Sequence, residues 1–356
     1  LWNASEDEVR EMGNSAEARD ISLSPNNRWV ALPGSVLGAD GVPSGQVEIL
    51  DAETGNRVGQ VLRQGWVPGF CVFSPDERWI LTGDDDFMIH LWEYDSKSDG
   101  FLEIKSERLG EAVVSGDFAP DGKSFAVSCY DGTVRIWALS GNEWKEKAIL
   151  KHGEGTYVRT VRFSPDGERI ASGCADGNVC LWDATTRQCL ARVKHDHLVN
   201  EVVFDSTGTV LASASFDKTA RLWKVDDGLA LTKPLLHGGN VTAVRFNAGG
   251  NRLLTASDDA STRVWDVITG QQVGPAYKQG QSVTALELGP DGEQFLTGGG
   301  GEVRWWRPQP LSPGSMNIRH TFRRGYFEQG GRTWASFSPD GTKVLSFGVD
   351  GRARLS

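Results

Sequence analysis

The sequence predicts an all-β fold, a closed ring of eight four-stranded antiparallel blades, and three observations predict it. A phenylalanine, an aspartate thirteen residues on and a tryptophan nineteen residues on recur in constant register: Phe73, Asp86, Trp92; Phe118, Asp131, Trp137; Phe163, Asp176, Trp182; Phe204, Asp217, Trp223; Phe246, Asp259, Trp265. With looser copies, anchors fall at 23, 73, 118, 163, 204, 246, 288 and 337, a period of roughly 45 residues, which is that of a four-stranded propeller blade. Forty-three glycines, fourteen prolines and many short Val, Ile, Leu, Phe and Trp runs between turn signals suit short strands, and no long stretch has a helical period. A fixed repeat overrides the two-domain expectation from 356 residues, so residues 1–356 read as a single propeller domain. The start at Leu1 rather than Met points to a segment of a longer protein.

One unit justifies the rest. Val158, Val161 and Phe163 make a first strand that stops at Ser164-Pro165-Asp166-Gly167. Proline there presets φ at the second turn position, and glycine suits the fourth. Arg169 to Cys174 forms a second strand, Ala175-Asp176-Gly177-Asn178 a tight turn, Val179 to Asp183 a third strand and Gln188 to Val193 a fourth. Such a sheet cannot bury both faces alone, so each blade must stack on its neighbours. The frame is imperfect at Leu23, at Leu288 with Trp306 one residue early, and at Phe337 with Asp350, whose tryptophan position falls on Ser356. The last unit therefore lacks a fourth strand. Residues from about Glu8 to Met12 are the candidate to supply it, closing the ring with the chain's own ends; seven blades with a loose remnant is the alternative.

A net charge of −10 argues against nucleic acid or anionic lipid as the main partner. Five cysteines without a C-x-x-C pair suggest neither a disulfide framework nor a thiolate zinc site. No apolar run reaches a membrane span, so a reducing cytoplasm is the expected compartment. Only six histidines are present, and His195 and His197 lack further ligands at metal spacing. No cofactor is implied.

Leu181-Trp182-Asp183, Val264-Trp265-Asp266, Leu91-Trp92 and Leu222-Trp223, each with its upstream turn, make the chain resemble the WD-repeat family of β-propellers over essentially its whole length. The resemblance implies a non-enzymatic platform for protein partners. Leu254 to Asp259 and Thr269 to Gln272 look like WD-repeat regions of bacterial proteins, often joined to kinase, protease or nucleotide-switch domains.

Two units carry matched sets that look catalytic: His195, Ser213, Asp217, Trp223 and His237, Thr255, Asp259, Trp265. A triad needs an exposed nucleophile and an oxyanion hole, yet Ser213 falls inside a strand. The resemblance implies that these tetrads are blade staples. Other units carry parts only: Ser172, Asp176 and Trp182 with Glu154 where His would stand; Thr82 with Asp86 and Trp92; Val127 beside Asp131.

In a propeller, loops from the fourth strand to the next first strand, and from the second to the third, share one face. The resemblance implies contact residues there, flanking the first strand's leading apolar residue and preceding the turn aspartate. Candidate partner contacts are Arg19, Trp66, Asp85, Tyr130, Tyr157, Arg159, Asn200, Phe216, Asn240 and Asp258. Tyr130, Tyr157 and Phe216 either form an aromatic arc beside Arg159 or cover their own blades. Residues 33–45 read as a long loop above this face, either a binding element or an unstructured insertion. Residues 322–328, with Arg323, Arg324, Tyr326 and Phe327, read as an exposed connection on it or as a cover over blade edges. The expected function is a monomeric, non-enzymatic scaffold binding a peptide or protein; the alternatives are a sensor or regulatory domain of a signalling or defence protein, then a propeller hydrolase.

Overall fold

Alternation of side chains along each strand places half of them on either face of every blade, and this decides where the core lies. In the computed structural model, blade 3 sends Phe125, Val127 and Trp137 toward blade 2, and Ala126, Val134 and Ile136 toward blade 4. The apolar core is accordingly a series of layers between neighbouring blades, running from blades 1 and 2 to blades 7 and 8. Trp137 is wholly buried in one of them, and burial of such a side chain contributes on the order of 3 kcal/mol.

The structure describes residues 10–14, 22–26, 28–37, 43–52, 54, 56–84, 86–141, 143–289, 292–300, 302–307, 318–323, 334–337, 344–347 and 352–355. They form eight four-stranded antiparallel sheets, an eight-bladed β-propeller. First strands are Ser22–Leu23, Pro68–Phe73, Val113–Phe118, Val158–Phe163, Val199–Phe204, Val241–Phe246, Ala285–Leu288 and Trp334–Phe337. Blade 4 matches the sequence reading closely: Val158–Phe163, Arg169–Cys174, Asn178–Asp183 and Cys189–Lys194.

Blade 8 is completed from the other end of the chain. Arg10–Asn14 pairs with Arg352–Leu355, through Arg10↔Leu355, Glu11↔Arg354, Met12↔Ala353 and Asn14↔Arg352. The closing strand starts two residues later than the expected Glu8, and residues 1–9 lie outside the described residues.

Glycines admit one cross-blade insertion. Cβ atoms on Gly83 and Gly116 would each stand 2.3 Å from the Phe70 ring, so these positions are open because Phe70, 2% exposed, fills them.

Two expectations need correction. Residues 33–45 are mostly not a loop, because Trp29–Leu37 and Pro43–Asp51 pair as a long hairpin out to Leu37↔Pro43. Residues 38–42 are outside the described residues. Alternating Val36 and Leu37 prolong the ladder where glycine and proline suggested an early turn. Arg323 belongs to no open connection, since it ends the fourth strand of blade 7, Ile318–Arg323, opposite Glu302. Arg324, Tyr326 and Phe327 lie outside the described residues, as do Arg19 and Asp85.

Candidate functional site

The loop face is built by one repeated contact. The residue four before the first strand's leading apolar residue donates its N–H to the preceding blade's turn: His195 to Gly177 O at 2.8 Å, His237 to Lys218 O at 2.9 Å, Gln279 to Ala260 O at 2.9 Å, Leu109 to Phe87 O at 2.7 Å. Gly177 has φ 89°, and a Cβ there would stand 2.4 Å from His195 O, so the turn requires glycine. Anchored on one blade, the side chain then reaches the next.

In blade 5, His195 Nδ1 lies 2.8 Å from Asp217 Oδ2 and Nε2 lies 2.7 Å from Ser213 Oγ. Ser213 Oγ also accepts the Trp223 indole N–H at 2.8 Å. Blade 6 repeats this with His237 Nε2 2.6 Å from Thr255 Oγ1, and Trp265 donating to Thr255 at 2.8 Å. Asp259 stands 3.3 Å from His237 Nδ1. Ser213 and Thr255 are wholly buried, so neither hydroxyl has access to a substrate.

Other blades vary the same position, and here the sequence reading needs correction. Glu154 does not occupy the histidine place in blade 4; it is exposed, and His152 takes the role with Nε2 2.6 Å from Ser172 Oγ. Two extra residues separate His152 from Val158, so counting back four positions gave the wrong residue. In blade 2, Thr82 bonds Gln64 Oε1 at 2.8 Å and Gln64 Nε2 donates to Asp84 at 3.2 Å. Asp86, assigned to that set from its spacing, instead pairs with Arg108 at 3.2 Å. At the staple position blade 3 is apolar, with Leu109 and Val127 packed beside Trp137. A signal was present in each case, a Gln, His or Leu four or six residues before the first strand.

Burial pushes the His237 and His152 imidazoles down to about 4. Burial opposes ionisation of Asp217, yet hydrogen bonds from His195 and Thr219 hold it well below the usual carboxylate range. Burial also disfavours the charged form of His90, but contacts with Asp84 and Glu103 outweigh it and raise its pKa. Asp117 behaves oppositely to Asp217: burial raises it to about 6 against the pull of Arg162.

These directions fix a pH dependence. Between about 4 and 6.5 the unfolded chain protonates His152 and His237 and the folded chain does not, so acidification costs about 3 kcal/mol for each. Between 3.8 and about 6 the folded state protonates Asp117 first, so acidification is stabilising there by about 3 kcal/mol. Asp117→Asn is expected to steepen the loss of stability from pH 6.5 to 4, read from urea midpoints; an unchanged slope refutes the assignment.

On the loop face itself, Trp66 is 57% and Tyr130 47% exposed. The Tyr130 and Tyr157 rings touch at 4.8 Å between centroids, across blades 3 and 4. Phe216 does not join them, because it stacks on His197 of its own blade at 6.2 Å. Arg159 Nε donates to Asn200 Oδ1 at 2.9 Å, and Asn200 Nδ2 to Thr242 O at 2.6 Å. Both residues thus tie blades 4, 5 and 6 together at the channel rim. Asn240 donates to Asp258 at 2.9 Å, and Ser282 of the next loop also donates to Asp258. Among the described residues, no group of three or more His, Cys, Asp or Glu is placed to hold a metal ion.

Comparison with known proteins agrees with this geometry. The WD40 family model, "WD domain, G-beta repeat", matches residues 60–93, 109–138, 144–183, 187–224 and 232–266. The chain belongs to the WD-repeat family. The crystal structure of Sqt1 from Chaetomium thermophilum superposes with a TM-score of 0.83 over 97% of both chains at 17% identity, a likeness of fold. Among curated proteins, nuclear distribution protein PAC1 of Fusarium vanettenii is 32% identical over 182 residues, 48% of this chain and 30% of that protein. Human pre-mRNA-processing factor 17 is 25% identical over 123 residues, 33% of this chain and 19% of its own. The chain spans less than a third of the length of these relatives. Membership of this family agrees with a role as a protein-interaction scaffold. Among the described residues, no helix is long and apolar enough to cross a membrane.

Proposed function

We propose that this propeller is a non-enzymatic platform that captures a peptide or protein segment on its loop face, in the cytoplasm and as a monomer. The Tyr130–Tyr157 contact carries the reading. Two aromatic rings from different blades meet at 4.8 Å with one of them 47% exposed, and large, rigid aromatic surface of this kind dominates interface energetics. Trp66 adds a second exposed ring on the same face. The Arg159–Asn200–Thr242 chain holds the rim fixed beneath them, so the partner meets a preorganised surface.

A displayed random-peptide library selected on the full chain tests this. Selected peptides are expected to lose about 100-fold in affinity for the Tyr130→Ala, Tyr157→Ala double variant, the scale of an interface hot spot, with an unchanged melting temperature. Retained affinity would move the site off these tyrosines.

A regulatory role within a larger signalling or defence protein is the second reading. What favours it is that the curated relatives extend far beyond their matched regions.

A further inference from the structure

First strands run from the loop face to the opposite end of the channel, and a cavity of about 420 Å³ opens there, within the range of small-ligand pockets. Phe118, Phe163, Phe204 and Val203 give it apolar walls, while Asp117 and Arg162 supply its charged groups. Both are fixed. Asp117 Oδ2 accepts the Phe163 N–H at 2.8 Å; Arg162 Nη1 donates to Val161 O at 2.8 Å and to Ser115 Oγ at 3.1 Å.

One carboxylate and one guanidinium in an apolar wall sum to zero charge. A charged group entering would meet its like charge at close range, which is costly. An uncharged peptide unit suits both: its N–H can face the carboxylate, its C=O the guanidinium, and its side chain the rings. We propose that this cavity is a second binding site, taking a neutral, extended apolar peptide segment of a partner protein. It is separated from Tyr157 by the length of a first strand, about 15–20 Å, so the two faces can be occupied independently.

The test uses the full chain at pH 7.5 and three capped tripeptides, acetyl-Leu-Pro-Leu-amide and its Glu-Pro-Glu and Lys-Pro-Lys counterparts, titrated by NMR chemical-shift perturbation. The neutral peptide is expected to bind saturably and at least tenfold tighter than either charged one. Val203→Glu should abolish this, and Tyr130→Ala should leave it unchanged. Asp117→Asn keeps an acceptor for the Phe163 N–H and leaves Arg162 unbalanced, so it should shift the preference toward the acidic peptide. That shift stands as a test even where Val203→Glu fails to fold. The proposal is overturned by no binding of the neutral peptide, by equal binding of charged peptides, by loss in Tyr130→Ala, or by an Asp117→Asn preference identical to the parent.

Discussion

Deleting residues 1–14 is expected to lower the melting temperature by on the order of 10 °C and to raise the average mass seen by light scattering. Arg10–Asn14 is hydrogen-bonded to Arg352–Leu355 and leads directly into blade 1, so it is the covalent tie between the last blade and the first. Without it, Arg352–Leu355 becomes an edge with unpaired N–H and C=O groups, a template for pairing with another chain. A synthetic peptide spanning residues 1–14, added in trans, should recover part of the lost stability. An unchanged melting temperature together with an unchanged mass would reject closure by this strand.

Ser213→Ala carries the second large effect, a loss of about 2–6 kcal/mol in urea unfolding. Its hydroxyl accepts from Trp223 Nε1 at 2.8 Å and meets His195 Nε2 at 2.7 Å, in a site with no solvent access. Removing it leaves two buried polar groups without a partner, each costing about 1–3 kcal/mol. His195→Gln should be milder, because Gln64 holds the same place in blade 2, bonded to Thr82 and Asp84. If Ser213→Ala costs less than His195→Gln, the hydroxyl is not the hub of the staple.

Blade 3 shows why a staple is not required everywhere. Leu109 and Val127 replace its histidine and hydroxyl, and Phe125, Trp137 and Trp144 pack with ring centroids 5.2–6.3 Å apart. The Trp137 indole N–H has no partner among the described residues. Stacked aromatic area offsets the missing bond, a trade between polar and apolar cohesion that changes from blade to blade within one frame.

Much of the fold was legible because its determinants are local. Ser164-Pro165-Asp166-Gly167 dictates a turn wherever it stands, and Val158–Phe163 and Arg169–Cys174 emerged with the bounds read from sequence. Local signals misled where an insertion or a ladder changed the count. His152 was displaced by two residues from its expected place, and the hairpin of blade 1 ran on through Pro33 and Gly34. The candidate site was less legible. Repeat positions left two readings of Tyr130, Tyr157 and Phe216, an arc or a cover over their own blades; the two tyrosines touch across blades, whereas Phe216 stacks on His197.

The sequence by itself determined the blade period, the strand order, the candidate strand for closing the ring and the placing of Ser213 and Thr255 inside strands. Each follows from spacing, alternation and turn chemistry, which act over a few residues and repeat. Only the tertiary structure decided which side chains meet across blades: Arg159 with Asn200, Phe163 N–H with Asp117, Gln64 with Thr82. Those partners lie 41, 46 and 18 residues apart, and their meeting depends on how one blade is rotated and seated against the next. That relation is fixed by packing of whole sheets and is carried by no single stretch of chain.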